Sequence, residues 1–182
     1  MSLVPKKVFF TKGVGYHRSK LAAFEEALRD GGIEKFNIVS VSSIFPPYCI
    51  EVLKEDGLKQ LRPGQIIYSV LARVDSNELN RLICASIGFA KPADKGNYGY
   101  LSEHHTYGVK PEKAGETAED LAAEMLATTL GIEFDPNANY DEKKEVFLMG
   151  GKIVETKNIT ASATVREEDE WASVLAAAVF IL

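Results

Sequence analysis

The chain reads as α+β, with two stacked, mostly antiparallel sheets flanked by helices, and three observations carry that reading. Two segments have helical periodicity and about eight have strand character, and the two kinds do not alternate as βαβ units. So many strands exceed what one helix-covered sheet keeps dry on both faces, whereas two sheets packed face to face bury them. A length of 182 residues suits one domain, 1–182, and is enough to bury roughly 70% of the unfolded surface.

The elements follow from local chemistry. Val8-Phe9-Phe10-Thr11 is a short strand, and Gly13-Val14-Gly15 reads as the turn after it. A pair of glycines before a helix hints at an anion cradle, but the third glycine and the βαβ setting are missing. A helix is expected from about Ser19 to Asp30, with Leu21, Phe24 and Leu28 as its apolar face and Gly31-Gly32 as its stop. Phe36 to Val41 is the next strand, leading into Ser42-Ser43 and the Pro46-Pro47 break. Ile50 to Leu53, Gln65 to Val74, Arg81 to Ala90 and Gly99 to Thr106 are further strands. Thr117 to Leu130 is helical and ends at Gly131, whereas polar, asparagine-rich Asp135 to Glu145 reads as a surface loop. Ile153 to Val165 and Trp171 to Leu182 close the chain as strands, with Trp171 and the Ala176 to Phe180 run assigned to the core. No internal repeat or low-complexity tract interrupts this order.

Composition narrows the function classes. Apolar residues at 46% and charged residues at 26% are ordinary for a globular protein, and a net charge of −5 argues against a nucleic-acid partner. Cys49 and Cys84 are too few for a disulfide framework and lack metal-ligand spacing, so a reducing cytoplasm is the expected compartment. The first seven residues hold no apolar core for a signal peptide. The longest apolar run, Val174 to Leu182, is about half the ~18–20 residues that span a bilayer, so no membrane association is expected. Asn158-Ile159-Thr160 matches a glycosylation sequon, which has no use in a cytosolic chain. His104 and His105 are neighbours on a strand and face opposite ways, and His17 lies in a separate turn, so no metal site is expected.

The most informative stretch is Asn37-Ile38-Val39-Ser40-Val41-Ser42-Ser43-Ile44-Phe45-Pro46-Pro47. A serine pair alone is only a polar strand end. Within this longer pattern it resembles the self-cleavage site of the pyruvoyl-dependent arginine decarboxylases. The resemblance extends over most of the chain, from the helix Leu21 to Leu28 and its Gly32-Ile33 stop to the strand carrying Glu103, the glutamate-rich helix after it and the alanine-rich last strand. Length beyond the compact members falls around residues 54–64 and 131–152. The resemblance implies an αββα sandwich and cleavage between Ser42 and Ser43, giving a β chain of residues 1–42 and an α chain of residues 43–182. Ser43 would become a covalent pyruvoyl group, the cofactor to which L-arginine binds as an imine before it loses carbon dioxide and leaves as agmatine. It further implies a homo-oligomer, a trimer of αβ protomers or a dimer of trimers, with active sites between neighbours.

Cleavage requires the Ser43 hydroxyl to attack the Ser42 carbonyl, which needs a turn that aims it and donors for the developing oxyanion. Prolines downstream restrain such a turn. Asn37 carries a donating amide and, if the strand stays extended, shares a face with Ser43. Glu103 aligns with the family's proposed proton donor to Cα, a role suited to a carboxyl whose pKa burial has raised. Glu25, between Leu21 and Leu28, falls inside the apolar stripe of the first helix, where a carboxylate needs a cationic partner such as a substrate guanidinium. The family usually has aspartate here, one methylene shorter, which leaves the charge logic intact and the depth of the pocket open. Two other readings fit the same fold: an unprocessed binding or scaffold protein, and a decarboxylase of another amino acid.

Overall fold

The computed structural model describes residues 3–133, 135, 140–149 and 151–182. Among them, β1 (Lys7–His17), α1 (Lys20–Gly31), β2 (Asn37–Ser40), β3 (Ile44–Phe45), β4 (Ile50–Glu51) and α2 (Lys54–Leu58) form the first part of the chain. After them come β5 (Ile66–Ser76), β6 (Leu82–Pro92), β7 (Gly99–Tyr107), α3 (Pro111–Leu130), α4 (Tyr140–Met149), β8 (Ile153–Thr164) and β9 (Trp171–Ile181). One sheet has five strands in the order β2-β5-β9-β1-β4, and the other has four in the order β3-β7-β6-β8. Pairing is antiparallel except where β4 joins β1 and β2 joins β5.

The strand β9 explains the layering. Its even residues Ala172, Val174, Ala176, Ala178 and Phe180 pack between the sheets against Ile83, Ala85, Ile87 and Phe89 of β6. Its odd residues Leu175, Ala177, Val179 and Ile181 pack outward, in one cluster with Phe9 of β1 and with Ala27 and Leu28 of α1. A strand buried on both faces reads as a continuous apolar run, which is what this one is. On the far side, Ala122, Ala123, Leu126 and Ala127 of α3 cover Ala90 of β6 and Ile153 of β8. The layers are therefore helix, sheet, sheet, helix, the αββα sandwich expected. Among the described residues no helix is long and apolar enough to cross a membrane.

Several local expectations change. Gly13 and Gly15 form no turn but lie within β1, directly beneath α1. A Cβ at Gly15 would stand 2.1 Å from the Ala23 carbonyl oxygen and one at Gly13 2.0 Å from that of Ala27, so their absent side chains let the helix close on the strand. The buried stripe of α1 is Ala23, Ala27, Leu28 and Gly31, whereas Leu21 is 76% exposed. Gly32, at φ 75°, stops the helix in the left-handed conformation. Residues 54–58 form the short helix α2, and residues 140–149 form α4 where a loop was expected. Polar α4 is held by charge: Lys143 reaches Asp120 at 2.9 Å and also pairs with Glu124, both on α3. The asparagines of the expected loop, Asn137 and Asn139, lie outside the described residues. Trp171 is half-buried rather than core, with the Lys20 ammonium 5.1 Å from its ring centre.

Candidate active site

Ser42 and Ser43 lie where the chain changes sheets. β2 ends at Ser40 in the five-stranded sheet and β3 begins at Ile44 in the four-stranded one, so residues 41–43 make the corner. Both sides of the corner are pinned: the Val41 N–H donates to the Ser69 carbonyl of β5 at 3.0 Å, and the Leu101 N–H of β7 donates to the Ser43 carbonyl at 2.8 Å. Between these anchors the Ile44 N–H donates to the Ser42 carbonyl at 2.9 Å. That bond closes a three-residue turn centred on Ser43, which is not among the positive-φ residues, so the turn is of the inverse γ kind. Ser42 is exposed and Ser43 half-buried. Among the described residues no hydrogen bond engages either serine hydroxyl.

The register of β3 on β7 brings Glu103 to this corner. Ile44 pairs with Tyr100 and Phe45 with Gly99, which sets Ser43 opposite Leu101 and Glu103 two residues further along, about 7 Å on. Leu101 belongs to the core between the sheets, so Glu103 and His105, at alternate positions, line the same inner face. Beyond the end of β3, β7 is an edge strand, and Glu103 opens to solvent at the rim of the sandwich. The protein crowding it there still pushes its carboxyl above the usual carboxylate range, opposed by the positive charge of His105. His104 shares the opposite face with Ser102, whose hydroxyl donates to the Ala118 carbonyl of α3. Burial, with His105 adding to it, pushes the His104 imidazole down.

The other two expected residues stand apart from this corner within one protomer. The strand does not stay extended past Ser40, so the shared face expected for Asn37 and Ser43 is lost. Asn37 sits at the opposite end of β2, about 10 Å from Ser40 along the strand, and its Nδ2 donates to the Gly64 carbonyl at 2.8 Å. Glu25 lies outside the buried stripe of α1. It is half-exposed and pairs with Arg29 one turn on, at 3.1 Å. Spacing from Leu21 placed it in an apolar stripe, but Leu21 faces solvent and the true stripe turns on the small residues Ala23 and Ala27. Since α1 packs on the outer face of the five-stranded sheet, that whole sheet stands between Glu25 and Glu103.

A cavity of about 430 Å³ adjoins the corner. Ser42 lies on its wall with Val41, Ile44, Pro47, Tyr68 and Phe180. These residues were not legible as site residues, because a tyrosine or phenylalanine in a strand looks like core. The backbone donors at Ile44 and Leu101 carry no side-chain signature at all.

Comparison with known proteins identifies the family. The family model described as pyruvoyl-dependent arginine decarboxylase matches residues 7–182. The probable pyruvoyl-dependent arginine decarboxylase of Chlorobaculum tepidum is 60% identical over 181 residues, covering 100% of this chain and 99% of that one. The pyruvoyl-dependent arginine decarboxylase of Thermoplasma volcanium is 54% identical over 179 residues, 98% of this chain and 97% of its own. Pyruvoyl-dependent arginine decarboxylase 2 of Methanosarcina acetivorans is 51% identical, with 98% of each chain covered. With the family model matching residues 7–182 and relatives 51–60% identical from end to end, this chain belongs to the pyruvoyl-dependent arginine decarboxylase family.

Proposed function

We propose that the chain is a proenzyme that cuts itself between Ser42 and Ser43 and then decarboxylates L-arginine to agmatine and carbon dioxide. The observation that carries this reading is the position of the Ser42–Ser43 peptide: an exposed corner, anchored on both sheets, with Glu103 on the adjoining rim. The residues present fit a pyruvoyl group, because its carbon skeleton would come from Ser43 itself and the corner leaves the serine hydroxyls uncommitted.

In the processing reaction the Ser43 Oγ bonds to the Ser42 carbonyl carbon and the bond from that carbon to the Ser43 nitrogen breaks, the hydroxyl proton passing to that nitrogen. The resulting ester loses the Ser43 Cα proton and then the Cβ–Oγ bond, releasing the Ser42 carboxylate. Water replaces the nitrogen of the dehydroalanine, ammonia departs and a ketone remains at residue 43. Residues 1–42 would stay bound after the cut, since β1 and β2 belong to the same sheet as β5 and β9.

When present, the pyruvoyl ketone supplies the electron sink for the pair of electrons left as carbon dioxide departs. The protein's own part is positioning and proton delivery. The wall of Val41, Ile44, Tyr68 and Phe180 suits the methylene chain of arginine. Glu103, kept protonated to higher pH than an ordinary glutamate, gives its proton to substrate Cα. Glu25 is half-exposed and already holds a guanidinium, that of Arg29, which supports its holding the substrate's. Glu25 and Asn37 cannot reach Ser43 within one protomer, so we place them in the site of a neighbour. The assembly would be a trimer of αβ protomers, alone or as a dimer of trimers.

Denaturing gels of the purified protein should give two bands, and intact mass should fit residues 1–42 plus residues 43–182 with a pyruvoyl end. Carbon dioxide release from arginine should exceed that from lysine, ornithine or histidine. A chain that stays whole and releases no carbon dioxide from arginine sinks the reading.

A further inference from the structure

Among the described groups at the corner, one donor has no role in the reaction as set out so far. The Ile44 N–H points at the Ser42 carbonyl oxygen from 2.9 Å, and that oxygen is the atom that becomes an oxyanion when the Ser43 hydroxyl attacks. In the β3–β7 ladder the bonded pair is Ser43 with Leu101, so Ile44 opposite Tyr100 occupies a non-bonded position and its N–H faces away from β7. This amide therefore gives nothing to the sheet. It serves only the carbonyl two residues before it.

We propose that the Ile44 backbone N–H is the oxyanion donor of the acyl shift, held in place by the γ-turn at Ser43 and by the Leu101 N–H behind it. The inference rests on the self-cleavage reading above. The attack closes a five-membered ring through Oγ, Cβ, Cα and N of Ser43 and the Ser42 carbonyl carbon. Negative charge then collects on the Ser42 oxygen, and a donor already at 2.9 Å stabilises it without reorganising. The Ser43 carbonyl is pinned to β7, so the turn cannot swing the Ile44 N–H away as the carbonyl carbon becomes tetrahedral. Backbone donors are indifferent to side-chain identity, so an isoleucine here needs no chemistry of its own.

Cys49 makes the test accessible, because a synthetic segment of residues 1–48 bearing a thioester joins an expressed segment of residues 49–182 at its N-terminal cysteine. The refolded full chain then carries at position 44 either isoleucine or the matching α-hydroxy acid, which replaces the N–H by oxygen and keeps the side chain. Fragment masses are followed with time after refolding. The all-amide chain should split between 42 and 43, and the ester form should split ~10²-fold more slowly with an unchanged circular dichroism spectrum. Hydroxylamine traps the Ser42 ester as a fragment ending at residue 42, distinct in mass from the fragment ending at Ser43 that it makes by cutting the introduced backbone ester. The fragment ending at residue 42 should not regain the all-amide rate, because the slowed step precedes the Ser42 ester. Ile44→Pro, expressed as a full chain, removes the same N–H at a position where the sheet asks for none and should also stay uncut while folded. Cleavage of either folded variant at the all-amide rate overturns the inference, as does full rescue of the ester form by hydroxylamine. An all-amide chain that never splits instead overturns the self-cleavage reading itself.

Discussion

Residues 41–43 and residues 77–81 both carry the chain from the five-stranded sheet to the four-stranded one, and they are braced in opposite ways. In the second crossing every turn of the backbone has a tie. The Glu78 N–H donates to the Ser76 hydroxyl oxygen at 3.1 Å, the Arg81 N–H to the Glu78 carbonyl at 2.9 Å and the Asn80 N–H to the Val165 carbonyl at 3.0 Å. The Arg81 guanidinium grips the Glu78 carboxylate, and Asn80 takes the left-handed conformation at φ 63° that asparagine tolerates. The first crossing has three residues, ties at its two ends and a single γ-turn bond between them. Ser76 has its hydroxyl engaged as an acceptor, whereas Ser42 and Ser43 have hydroxyls with no partner among the described residues. What separates the serine of one crossing from those of the other is bracing, not composition.

The sharpest way to break that comparison is to remove the hydroxyl at the first crossing. Ser43→Ala should leave a single uncut chain on a denaturing gel and abolish arginine decarboxylation. Its melting curve should match that of the uncut wild-type chain, because no hydrogen bond is lost with the hydroxyl. Two bands from this variant would mean that cleavage uses another nucleophile and that the corner is not special.

Glu103 sharpens the comparison from the other side of the corner. Glu103→Gln should still be cut, since the acyl shift does not use it, but kcat should fall by roughly 10²–10⁴ as the proton donor to Cα is lost. In the wild type the acid form must be present, and crowding has raised its pKa, so activity should decline as pH rises through that raised value. His105 opposes the rise, and His105→Ala should therefore move the decline to higher pH. A pH profile unmoved by either change would remove Glu103 from the reaction.

The two crossings also mark how much a sequence declares. The layered fold was legible because β9 is apolar at every position but Ser173 and β6 at most positions, and burial of that much surface admits few architectures. The serine pair and Glu103 were legible as a pattern, and the register of a two-residue strand, β3, is what brings them side by side. The glycines of β1 misled because a glycine beneath a helix and a glycine in a turn look alike until the helix is placed. Glu25 misled because helical spacing from Leu21 assumed that Leu21 was buried. The donors at Val41, Ile44 and Leu101 were beyond reach in principle, since a backbone amide is the same in every residue but proline and only its direction distinguishes it.

The smallest effect expected is at the well-braced crossing, and it decides whether bracing there matters to the chemistry. Glu78→Ala deletes the grip on Arg81 and leaves the backbone ties of Asn80 and Arg81 intact. The pair lies at the surface, with Glu78 exposed and Arg81 half-buried, so it is screened and contributes little. The hydrogen bond from Arg81 holds the Glu78 carboxyl below its usual value, so any stability it adds is present above the unfolded pKa and lost as pH falls through the lowered folded one. Melting of the variant and the wild type should thus differ slightly near neutral pH, converge in acid, and converge also in ~1 M salt, where the screening length is ~3 Å. Cleavage between Ser42 and Ser43 should proceed within ~2-fold of the wild-type rate, as expected for a surface pair with no part in the turn. A larger change would couple the two crossings through the core between the sheets.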